Sequence, residues 1–158
     1  MCMAQAAFAA GCFWGVQHEF EQKKGVRKTV AGYMGGITKN PTYEEVCADK
    51  TGHAETVSID FDEDVVSYEE LLDIFWKIHD PTQKNRQGPD VGTQYRSVIF
   101  YYTNEQKRLA EISKQKQQSS VPFKKPISTE IVAASEFYPA EAYHQHYFKK
   151  NGVTGCPI

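Results

Sequence analysis

The chain has no run approaching the roughly 18 apolar residues that span a bilayer, so a membrane protein is not expected. It also lacks a basic excess. Its 18 Lys and Arg face 20 Asp and Glu, for a formal charge of −2, which argues against nucleic acid or an anionic membrane surface as partner. Met1 to Gln5 carries neither the basic nor the apolar region of a secretory signal, and the cytoplasm is the expected compartment. Cysteine is sparse: Cys2, Cys12, Cys47 and Cys156 show no CxxC and no Cys/His ligand spacing, so no metal site and no cofactor is expected. No repeat, low-complexity tract or linker divides the 158 residues. One domain over 1–158 is expected, ending in a mobile glycine-containing tail from about 151.

A chain of this length buries roughly 70% of the surface its unfolded form exposes and needs no disulfide for stability. In a reducing compartment its cysteines are therefore either buried and inert or redox-active.

What is present is an alternation of short apolar runs and amphipathic stretches. Ala6 to Ala10 reads as a buried strand, and Phe13, Val16 and Phe20 form a helical stripe that Gly25 closes. Val26 to Tyr33 reads as a second strand, and Tyr43 to Ala48 as a short helical turn. From His53 to Phe61 the odd-numbered positions make one apolar face. Ser67 and Glu70 form a capping-box pattern ahead of Leu71, Leu72, Phe75 and Trp76. Asp80 to Gln94 is irregular and longer than most connections. Tyr95 to Tyr102 returns to strand, a polar helix capped at Thr103 follows, and Ile127 to Ser135 reads as another strand. Pro139 is expected to open a last helix with Tyr143 and Tyr147 one turn apart. This order predicts helices packed on a mixed β-sheet in an α+β or α/β domain.

Cys12 falls where a strand gives way to a helix, and the unpaired N–H groups of a helix's first turn stabilise a thiolate. Gly11 and Gly15 allow a tight turn and close approach of another molecule, while Phe13 and Trp14 offer apolar surface beside the sulfur. A buried cysteine with two core aromatics fits the same residues. Glu55 shares the apolar face of its strand, where desolvation would let it hold a proton near neutrality and act as a general acid; at a strand's start it could equally turn to solvent. Tyr43 and Tyr95 border irregular stretches, and Asp90 lies within the long one. His144 and His146, two apart on a helix, point in different directions and do not chelate one ion.

The pentapeptide Gly11-Cys12-Phe13-Trp14-Gly15 resembles the active-site signature of the peptide methionine sulfoxide reductase A family. The resemblance continues through Gly32-Tyr33, Asn40 to Tyr43, Gly52 to Glu55, Asp90 to Ser97 and Ala142 to Gln145, in order over nearly the whole chain. It implies a ferredoxin-like α+β core and an enzyme, usually monomeric, that reduces the S epimer of methionine sulfoxide, free or in proteins. It further implies Cys12 as nucleophile, Glu55 as acid, Tyr43 and Tyr95 as donors to the sulfoxide oxygen, Phe13 and Trp14 as holders of the S-methyl group, and Asp90 as an orienting residue. The sulfenic acid left on Cys12 then needs a second thiol. Cys156, on its glycine-containing tail, is the expected resolving residue, with Cys47 as competitor and thioredoxin as external reductant. Many family members carry two cysteines near the C-terminus, whereas this chain has only Cys156 there.

Two other classes compete. A thiol peroxidase or peroxide sensor explains Cys12 but not the aromatic pair beside it. A binding module on a ferredoxin-like fold is a third reading, and the acidic balance argues against RNA as its ligand.

Overall fold

The structure, a computed structural model, describes residues 2–120 and 125–151. In chain order the elements are β1 (Met3–Ala10), α1 (Phe13–Glu21), β2 (Val26–Met34), α2 (Tyr43–Cys47), β3 (Ala54–Asp62), α3 (Tyr68–Lys77), β4 (Arg86–Gln87), β5 (Asp90–Val91) and a 3-10 turn (Thr93–Tyr95). Then come β6 (Ser97–Tyr101), α4 (Asn104–Ser120), β7 (Glu130–Ala133), β8 (Tyr138–Pro139), a second 3-10 turn (Ala142–His144) and α5 (Tyr147–Asn151). The main sheet runs β7-β6-β1-β3-β2-β8, with only the β6–β7 pair parallel. Its inner four strands, β6-β1-β3-β2, with α1 and α3 as crossovers, are the ferredoxin-like α+β arrangement that the resemblance implies.

The apolar stripes explain how the helices sit. Phe20 of α1 stacks on Phe8 of β1 with ring centroids 5.2 Å apart, and Phe75 of α3 meets the same ring at 5.4 Å. Leu71, Leu72 and Ala110 belong to the same main core, as do Val57, Ile59 and Phe61 of β3. Burying each large side chain contributes about 1.5–3 kcal/mol. Of the expected box at α3, Ser67 caps the Glu70 N–H; the full reciprocal box forms instead at α2, between Thr42 and Glu45.

Several expectations are corrected. Val57, Ile59 and Phe61 face the main core as the alternation predicts, but the start of the strand is covered on its other face too, because Ala54 joins Ala7, Ala9, Met34, Val98 and Phe100 in a second core against Ala134 and Phe137. The irregular stretch from Asp80 is ordered by the two-stranded β4–β5 hairpin and by the Gln87 side chain, which bonds both the N–H and the carbonyl of Asp80. Pro139 opens no helix. It pairs with Gly32 at the sheet edge, where a missing N–H costs least, and His146 at φ 53° breaks the helical path between Tyr143 and Tyr147. The strand expected from Ile127 is shortened to Glu130–Ala133. Residues 152–158, with most of the expected mobile tail and Cys156, lie outside the described residues.

Candidate active site

Cys12 stands at the junction of β1 and α1. Gly11 ahead of it has φ 98°, and a Cβ there would come within 3.0 Å of the Gln87 side chain, so the turn takes glycine for both conformation and space. Cys12 is half-buried and is the N-cap residue of α1, its carbonyl accepting the Val16 N–H at 3.3 Å. Its sulfur is thereby carried at the positive end of the helix.

Sheet register brings the other groups to the same place. Phe8 pairs with Val57 and Ala10 with Ser97, the last rungs of the two ladders; Glu55 and Tyr95 each follow two residues beyond, at the end of β1 that leads to Cys12, and Tyr95 is near enough to feel the charge of both Glu55 and Cys12. Glu55 is 1% exposed, which settles its orientation in favour of burial. Its Oε1 accepts the Phe13 N–H at 3.3 Å and its Oε2 accepts Gln94 Nε2 at 2.8 Å. One donor of the helix's first turn is thus satisfied by the carboxyl.

Tyr43 begins α2, and its backbone N–H donates to Glu141 Oε2 at 3.0 Å, while Glu141 Oε1 accepts the Tyr33 hydroxyl at 3.0 Å. Tyr95 ends the first 3-10 turn, its N–H donating to the Gly92 carbonyl at 3.0 Å. Both phenols are pushed above the ordinary tyrosine range. Burial is the main cause in each. For Tyr43 a hydrogen bond with Cys47 and the nearby Glu55 add to it; for Tyr95 the added causes are Glu55, Asp90, Cys47 and Cys12. Both therefore stay protonated at neutral pH, as donors. Asp90, in β5, is half-buried, and burial raises its carboxyl above the usual range.

Aromatic rings line the opposite side. Phe13 is buried, with Tyr33, Tyr43 and His144 around it at centroid distances of 5.8, 6.4 and 5.2 Å. Trp14 is half-buried and stacks on Tyr147 at 3.8 Å, the planes 7° apart, while its Nε1 donates to His144 Nδ1 at 2.9 Å.

The structure brings Cys12, Phe13, Glu55, Tyr95 and Tyr43 into one neighbourhood. Cys47 joins it: exposed on α2, its sulfur accepts from Gln94 Nε2 at 3.4 Å. Cys2 lies at the far end of β1. Sequence reading assigned no role to Gln94, Glu141, His144 or Tyr147. Gln94 and His144 sit inside quoted motifs, but periodicity carries no sign of what a side chain will bond. Among the described residues no group of three or more His, Cys, Asp or Glu is placed to hold a metal ion, and no helix is long and apolar enough to cross a membrane.

A sulfur at a helix start, with a buried carboxyl from β3 and two phenols from α2 and the first 3-10 turn nearby, is the equipment of a thiol-based oxidoreductase. Residues 4–158 match the family model described as peptide methionine sulfoxide reductase, and the chain belongs to that family. It is 61% identical over 150 residues to the peptide methionine sulfoxide reductase MsrA of Methanosarcina mazei, a match covering 95% of this chain and 71% of that protein. Among solved structures it is similar to Mxr1 from Saccharomyces cerevisiae in reduced form, at TM-score 0.89 and 34% identity over 98% of this chain and 90% of that one. It is also similar to methionine sulfoxide reductase A of Corynebacterium diphtheriae, at TM-score 0.87 and 37% identity over 98% and 78%.

Proposed function

We propose that the chain reduces the S epimer of methionine sulfoxide, free or protein-bound, to methionine, as one catalytic domain over 1–158. The observation that carries this reading is the buried Glu55 carboxyl bonded to the N–H of the residue after Cys12, with two protonated phenols in range. The Cys12 thiolate attacks the sulfoxide sulfur while Glu55 gives its proton to the oxygen, and the Tyr43 and Tyr95 hydroxyls stabilise the charge developing there. The attack forms a sulfur–sulfur bond; the protonated oxygen then transfers to the Cys12 sulfur as the substrate's S–O bond and the new sulfur–sulfur bond break, leaving sulfenic acid on Cys12 and releasing methionine. Phe13 and Trp14 receive the S-methyl group, and Asp90 orients the substrate.

A second thiol then displaces water from the sulfenic acid to form a disulfide, which an external dithiol reduces. Cys156 is the proposed resolving residue; Cys47 is its alternative, supported by its place beside Tyr43 and Gln94. Thioredoxin is the proposed reductant. Yeast Mxr1 has been solved in complex with Trx2. The cytoplasm and a monomeric state complete the proposal.

The test is a single-turnover experiment. Mixing the protein with one equivalent of the S-sulfoxide, without reductant, releases about one equivalent of methionine and leaves an oxidised Cys12 identifiable by mass spectrometry. A folded protein that releases none contradicts the reading.

A further inference from the structure

His144 is a buried polar side chain that the proposed chemistry does not use. It is 1% exposed, in the 3-10 turn Ala142–His144, and four aromatic rings surround it: Tyr143 at 4.1 Å, Tyr43 at 4.4 Å, Phe13 at 5.2 Å and Trp14 at 5.7 Å. Its Nδ1 accepts the Trp14 indole N–H at 2.9 Å, and its buried Nε2 has no hydrogen-bond partner among the described residues. A ring that only filled space here would be better served by phenylalanine, because a buried donor without a partner costs about 1–3 kcal/mol. The acceptor nitrogen is what phenylalanine lacks.

We propose that His144 is a positioning residue that fixes the plane of the Trp14 indole, by accepting its N–H at Nδ1, and so shapes the wall that receives the substrate's methyl group. The inference rests on the reductase reading above. An indole turns about its two side-chain torsions unless held; here the hydrogen bond fixes one edge and the Tyr147 ring, stacked at 3.8 Å, covers one face, so a ligand can meet only the other. The bond requires the Nε2–H tautomer, with a bare lone pair at Nδ1. Burial lowers the His144 pKa, which favours that neutral form, although Glu141 acts in the opposite sense and Lys150 in the same one; Tyr43 and Tyr143 also face the ring.

The protein supplies its own control. It has two tryptophans, and Trp76 donates its indole N–H to Ser113 Oγ at 2.6 Å, well away from this site. The experiment records the two indole N–H resonances of 15N-labelled protein, together with KM and kcat for the S-sulfoxide, in the unaltered chain, His144→Phe and His144→Asn. Phenylalanine keeps the ring and loses the acceptor; asparagine puts an oxygen near the Nδ1 position. The inference predicts that His144→Phe moves the Trp14 resonance upfield, leaves that of Trp76 in place and raises KM about tenfold with kcat within about threefold, the loss of one buried hydrogen bond. His144→Asn restores the resonance and most of the KM.

A folded His144→Phe with displaced Trp14 resonance and unchanged KM overturns the inference, since the bond would then serve packing alone. Should His144→Phe not fold, His144→Asn decides: KM near that of the unaltered chain with the Trp14 resonance in place supports it, and a raised KM with that resonance in place overturns it. An unaltered chain without sulfoxide turnover defeats the reductase reading itself, a result distinct from either.

Discussion

Glu55 Oε1 accepts the backbone N–H of Phe13 at 3.3 Å, joining the second residue of β3 to the first residue of α1. The carboxyl and the Cys12 sulfur therefore share one helix terminus, and a buried acid lies where the nucleophile is held. Glu55→Gln keeps an oxygen for the Phe13 N–H but has no proton to give. We expect kcat to fall about 10²- to 10⁴-fold, the usual worth of a positioned general acid, with little change in thermal midpoint. Steady-state turnover of the S-sulfoxide at pH 7 checks this, and a loss below about fivefold would remove Glu55 from the acid's role.

Gln94 gives the second donor to the same carboxyl, at 2.8 Å. Donors of this kind favour the charged form of a carboxylate. Gln94→Leu removes one, which favours the protonated carboxyl, and the pH–rate profile is expected to move toward higher pH. Single-turnover rates measured from pH 5 to 9 decide; a superimposable profile contradicts the assignment.

His79 makes stability depend on pH. Burial holds its pKa at about 4, partly offset by its hydrogen bond to the Phe75 carbonyl and by the nearby Asp80, while Nε2 meets Ser97 Oγ at 2.8 Å. The unfolded chain takes up this proton near pH 6.5 and the folded chain only near 4. The contribution is therefore intact above about 6.5 and is lost as pH falls toward 4, by about 3 kcal/mol in all. Urea unfolding at pH 7.5 and 5.0 should show a loss in the unaltered chain that His79→Gln, though less stable, does not share. Equal losses in both would assign the effect elsewhere.

Gly32 is the tightest point of the β2–β8 pairing. A Cβ there would fall 2.4 Å from the Tyr138 carbonyl oxygen and 2.4 Å from Phe137 Cζ, so the edge strand must move. Gly32→Ala is expected to destabilise by about 2 kcal/mol, read as a lowered urea midpoint with an unchanged slope. A change below about 0.5 kcal/mol would mean that β8 yields freely.

The frame was legible where periodicity carried it. The alanine run of β1, the alternation through Val57, Ile59 and Phe61, and the Leu71 to Trp76 stripe each match an element of the sheet or its helices. The alternation also put Glu55 on an apolar face, but its burial depended on Phe13 and Gln94, distant in sequence. Features set by single long-range bonds were not legible. Pro139 reads equally well as a helix start or an edge-strand residue, and only its pairing with Gly32 decides. The second face of the sheet is lined by small residues such as Ala7, Ala9 and Ala54, whose pattern gives no sign that Phe137 will cover them. Only the resemblance pointed to Tyr43, Tyr95 and Asp90 as candidates; no physical signal in their local sequence did.

The most direct measurement is reduction of separated S and R methionine sulfoxide derivatives with dithiothreitol, comparing the unaltered chain with Cys12→Ser. The account predicts turnover of the S epimer alone, abolished in the variant. Turnover retained in a folded Cys12→Ser protein, or of neither epimer by the unaltered chain, would contradict it.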